Sequence, residues 1–104
     1  MFDEIFDTCR KILDKKNHDY ANKDDIFKNF REVSQIASIM SQKDITAEDI
    51  FNIYIAMKIS REANLRRNNK IPLNESLKDT ITDMINYIVL KAEYFNQKTI
   101  KKES

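Results

Sequence analysis

Four stretches of the chain place apolar residues three and four positions apart, the spacing that keeps them on one side of an α-helix. In the first, Phe2, Ile5, Phe6, Cys9, Ile12 and Leu13 predict a helix from about Asp3 to Lys16, with acids at its start and lysines at its end as the helix dipole prefers. Asn17 to Asp25 has no apolar period and reads as a polar loop, with Asp24 or Asp25 as the next N-cap. Ile26, Phe27, Phe30, Val33, Ile36, Ala37 and Met40 predict a second helix that stops near Ser41. The fourth stripe is Leu77, Ile81, Met84, Ile85, Ile88, Ala92 and Phe95, capped by Asn74 and running to about Gln97. The basic tail from residue 98 to residue 104 is expected to fray, leaving one domain over residues 1–97.

The third stretch, Thr46 to Asn68, is the one the others are arranged around. Thr46 and Asp49 form a shortened capping box, and Ile45 and Ile50 occupy the staple positions on either side of it. From Ile50 to Ile59 hardly any polar face remains, so this helix should have neighbours on more than one side. Charge then enters the stripe. At 100° per residue, Arg61 and Lys58 lie about 20° and 80° round from Ile50, among Tyr54 and Leu65. On the last helix, Asp79, Asp83, Asn86, Tyr87, Leu90 and Tyr94 share the side opposite the apolar stripe, an arrangement that suits cover by the central helix or a second subunit.

Composition narrows the class. With 104 residues, no Gly, one Pro, 34% charged and 41% hydrophobic residues, the chain suits a single all-α domain, a compact antiparallel bundle of four main helices. A net charge of +1 gives no global field for nucleic acid or membrane. Cys9 is the only cysteine, which excludes an internal disulfide and fits a reducing, cytoplasmic setting. The acidic start is unlike a signal peptide, and no apolar run approaches the ~20 residues of a membrane span.

Candidate chemistry falls in two places. Asp79 and Asp83 stand one helical turn apart and together suit a divalent cation, while Lys58 and Arg61, one turn apart on the central helix, suit phosphate groups. The competing reading is an interhelical ion-pair cluster. Asp19, Tyr20, Asp24, Asp25, Asn29 and Phe30 form the second group, in which a tyrosine stacks on a base and amide or carboxylate groups read its edge. Its competing reading is an Asx turn with Phe30 in the core. His18 and Cys9 are too isolated for zinc, and Arg66, Arg67 and Lys70 are explained by the helix dipole as well as by phosphodiester contact. Asn74-Glu75-Ser76 matches a glycosylation sequon, a chance match in a cytoplasmic chain.

The order Asp19-Tyr20, Asn29-Phe30, AMKISRE over residues 56–62 and LKDTITDMINYIVL over residues 77–90 resembles small phage-type proteins related to the MazG-like all-α nucleoside triphosphate pyrophosphatases. The resemblance covers about Asp19 to Tyr94. It implies that acidic pairs on two successive helices hold Mg²⁺, which activates water against a nucleoside triphosphate and releases monophosphate and pyrophosphate. Asp83 falls at the last acid of the second pair, whereas Thr80 stands at that pair's Glu, with Asp79 one position before it. The first pair's segment holds Lys58, Arg61 and Glu62, so one acid stands for two. Two expectations follow from this set. One is a nucleotide-binding, oligomeric phage protein that hydrolyses with Mg²⁺ on Glu62, Asp79 and Asp83. In it Lys58 and Arg61 meet phosphate, and Asp19, Tyr20, Asn29, Asn86 and Tyr87 meet base or sugar. The other is a non-enzymatic binder, either a sponge for signalling nucleotides or an inhibitor docked on a host protein. DNA binding by a helix-turn-helix is disfavoured by the neutral charge.

Overall fold

Each of the four apolar-periodic stretches is a helix in the computed structural model, which describes residues 1–20, 25–68 and 75–103, with side chains described except at 16–20, 75 and 100–103. The elements are α1 (Asp3–Tyr20), α2 (Lys28–Ser41), α3 (Ala47–Asn68) and α4 (Glu75–Glu103). α1 continues through residues expected to be loop. Asn17 to Tyr20 include no Gly or Pro, so nothing in that segment breaks the backbone ladder. α4 likewise runs on to Glu103, beyond the expected end near Gln97.

The start of α2 differs from the expected Asp N-cap. Phe27 holds the cap position with no side-chain cap bond, while Asp25 Oδ1 accepts the Phe27 N–H at 3.2 Å and its carboxylate also pairs with Arg31. Phe27 is buried in the core, and that burial fixes where the chain turns into the helix. Asp24, like Lys70 and Asn74, the expected cap of α4 and the sequon's asparagine, lies outside the described residues. At the other end Gln42 takes the left-handed conformation (φ 57°), a role that Gly fills in chains that have one. Ser38 clasps this turn. Its Oγ accepts the Ile45 N–H at 2.9 Å, and its hydroxyl faces the carbonyls of Ser34 and Ile45 at 2.8 and 3.1 Å.

α3 starts as the sequence dictates. Thr46 N–H donates to Asp49 Oδ2 at 2.9 Å and Asp49 N–H donates to Thr46 Oγ1 at 3.2 Å, the reciprocal capping box. α3 and α4 make the main packing of the molecule. Their partners run in opposite directions along the two helices: Glu48 with Lys98, Asn52 with Lys91, Lys58 with Asp83, Arg61 with Thr80. The pair is therefore antiparallel. α2 folds back on α3, and α1 packs on α4.

The core is aromatic. Phe27, Phe51 and Leu90 form its buried centre, with Leu13, Ile26, Phe30, Tyr87 and Tyr94 packed around them. Phe30 stacks on Phe51 at 4.3 Å, and Phe27 meets Tyr94 edge-on at 5.4 Å. This reverses part of the α4 expectation. The side carrying Tyr87, Leu90 and Tyr94 faces α3, whereas Ile88 and Phe95 of the expected inner stripe are exposed. Three large side chains meeting aromatic rings on α3 bury more area than the slimmer aliphatic row, so they win the interface. Among the described residues α3 packs mainly against α4 and α2 while α1 packs on α4, and Ile53, Met57 and Ile59 stay exposed. The molecule is elongated, 49 × 35 × 24 Å, with a radius of gyration of 15.7 Å where a compact chain of this length has about 13 Å.

Candidate functional site

Along the α3–α4 seam the aromatic core gives way to polar groups. Tyr54 stacks on Tyr87 with centroids 5.2 Å apart and planes 17° apart. One turn further, Lys58 Nζ lies 3.0 Å from Asp83 Oδ2, with the two side chains 26% and 20% exposed. Another turn on, Arg61 Nε donates to Thr80 Oγ1 at 3.2 Å, and the Thr80 hydroxyl donates to the Ser76 carbonyl at 2.7 Å. The register has a simple origin. Residues 54, 58 and 61 of α3 and 80, 83 and 87 of α4 follow the three-and-four spacing on facing sides of an antiparallel pair.

The structure thus brings Lys58, Arg61, Asp83 and Tyr87 to one seam. The remaining candidates lie elsewhere or act alone. Asp79 is exposed, and Glu62 on α3 sits 3.5 Å from Arg66 Nε of its own helix. Among the described residues no three carboxylate, histidine or cysteine side chains gather into a metal-holding group. Asn29 is exposed in the first turn of α2. Asp19 and Tyr20 end α1, with side chains outside the described ones. Asn86 is 3% exposed, and neither Oδ1 nor Nδ2 finds a hydrogen-bond partner among the described residues. A buried amide without partners costs about 1–3 kcal/mol, so this one has unused capacity for a polar guest.

Beside the seam, a groove of about 800 Å³ lies along the C-terminal half of α3, walled by Met57, Lys58, Ser60, Arg61, Asn64 and Asn68 among others. Its charged lining among the described residues is cationic. The negative end of the helix dipole lies there too, and Arg66 and Arg67 in the last turn offset it. Ser60, Asn64 and Asn68 were not singled out by sequence reasoning, and Thr80 was named only as the residue at the place of an acidic pair's Glu. For Thr80 a signal existed, a hydroxyl four residues after Ser76 able to bond back to its carbonyl, but its use as an acceptor for Arg61 needed the neighbouring helix in place.

No family model matches the sequence, and neither the curated proteins nor the solved structures yield a match. Among the described residues no helix is long and apolar enough to cross a membrane.

Proposed function

We propose that the protein binds a nucleotide or nucleotide-like phosphate ligand in the groove of α3, with Lys58 and Arg61 neutralising the phosphate charge. The observation that carries this reading is that both cations stand in the wall of a single groove, one turn apart, each already half-desolvated or oriented by a partner on α4. Pre-oriented cations lose little side-chain freedom when a phosphate arrives. Lys58 then exchanges or shares the Asp83 carboxylate with the ligand.

Binding without hydrolysis is the better-supported form of this reading. The Lys58 ammonium 3.0 Å from Asp83 competes with a metal cation for the same carboxylate, Glu62 holds Arg66, and Asp79 is exposed. As arranged, the three acids do not converge on one Mg²⁺. A phage-type, cytoplasmic sponge for signalling nucleotides is the biological form that fits.

Calorimetry with a nucleotide panel, with and without Mg²⁺, tests the reading together with an assay for monophosphate and pyrophosphate. The expected result is binding that persists without Mg²⁺, no products, loss of binding in Lys58→Ala and retention in Asp83→Asn. Release of products only with Mg²⁺ would establish the hydrolase on Glu62, Asp79 and Asp83 instead. No heat and no products with any nucleotide would end both versions.

A further inference from the structure

Large apolar side chains stay exposed on every helix, among them Ile5, Ile39, Met57 and Phe95, and a free monomer would carry them at risk of aggregation.

One of these surfaces is built to meet its own copy. At 100° per residue, Ile53, Ala56, Met57, Ser60, Ala63 and Asn64 fall within about 120° on the outer side of α3. All six are exposed, Met57 at 60%, and none is charged in a chain that is one-third charged. The row ends in opposite charges, Asp49 at the N-terminal end and Arg67 at the C-terminal end, on the same side of the helix.

We propose that two copies of this chain associate through α3, antiparallel about a two-fold axis level with residue 58. In that register Ala56 faces Ser60 of the other copy, Ile53 faces Ala63, and Asp49 faces Arg67 at both ends. Ala and Ser at the crossing let the backbones come close, the flanking Ile53 and Met57 supply apolar area, and the terminal charges fix the direction. The other apolar rows are less suited to this pairing. Phe2, Ile5 and Phe6, which stop at the buried Cys9, and Ile36, Ile39 and Met40 each span barely more than one turn. Met57, Ser60 and Asn64 also wall the groove, so the second copy would close its outer side. That last consequence rests on the ligand reading, whereas the association does not.

Sedimentation equilibrium of the full chain without nucleotide tests the association, and a disulfide tests its geometry. The expected mass is an even multiple of 12.4 kDa. In a Cys9→Ser background, Ala56→Cys with Ser60→Cys should convert to a species of doubled mass on mild oxidation, whereas Ile39→Cys should not. Ala56→Lys should shift the wild-type assembly toward monomer by at least tenfold in dissociation constant while leaving helix content by circular dichroism unchanged. A monomer at every concentration, or an oligomer that cross-links through position 39 or not through positions 56 and 60, would overturn the proposal. Nucleotide binding by a proven monomer would leave the function standing while removing this interface.

Discussion

The two ends of the α3–α4 pair are built from the same helices in the same register and do opposite things. At the Phe51 end rings from α2, α3 and α4 interlock, with Phe51 wholly excluded from solvent. At the Lys58 end an ion pair and a charge-assisted hydrogen bond hold the helices together beside an open groove. Apolar area excluded from water stabilises in proportion to its extent, whereas an ion pair that is largely taken out of water returns little net stability after its desolvation cost. The first end holds the fold, and the second is free to exchange partners.

Substitutions separate these roles. Phe51→Ala should cost about 3–5 kcal/mol in urea titration, because it removes a ring that contacts Phe27, Phe30 and Tyr94 at once. Lys58→Ala should cost about 1–2 kcal/mol, less than Phe51→Ala because the Asp83 carboxylate it leaves is only partly buried, yet it should abolish nucleotide binding. Thr46→Ala, at the start of the same helix, should cost about 1 kcal/mol by removing one half of the capping box. A loss at Lys58 comparable to that at Phe51 would erase the distinction between the two ends.

The smallest effect concerns the outer edge of the aromatic end, where Lys98 Nζ lies 2.8 Å from Glu48 Oε1 and over the Tyr94 ring. The hydrogen bond from Lys98 holds the Glu48 carboxyl below its ordinary 4.5, against an opposing push from burial. A carboxyl depressed in the folded state stabilises fully above its unfolded value, and that contribution disappears as pH falls through the folded one. Thermal melts between about pH 6 and about pH 3 should therefore show a steeper loss for the wild type than for Glu48→Gln. Equal slopes would mean that this bridge adds nothing to the fold.

Cys9 provides a related check on α1. Burial pushes its thiol above the ordinary range, so thiol reagents should modify it slowly in the folded chain and rapidly in denaturant. Fast modification of the folded protein would indicate that α1 leaves α4 readily.

Sequence periodicity determined that four helices form, and the Thr46–Asp49 pair determined where α3 begins, since both are local properties of spacing and side-chain reach. It also carried Lys58 and Asp83 as candidates, because a cation within an apolar stripe and two acids one turn apart are both visible in one dimension. Periodicity did not decide which side of α4 faces inward. That helix has two sides able to pack, and the choice went to Tyr87, Leu90 and Tyr94 only because α2 and α3 offer rings to meet them. Nor did it reveal that Asp79 and Asp83, one turn apart, part company, with Asp83 drawn to Lys58 and Asp79 left exposed. Facing residues, and hence the groove and its cations, are set by how neighbouring helices share the burial of apolar area, a property of the whole molecule rather than of any one segment.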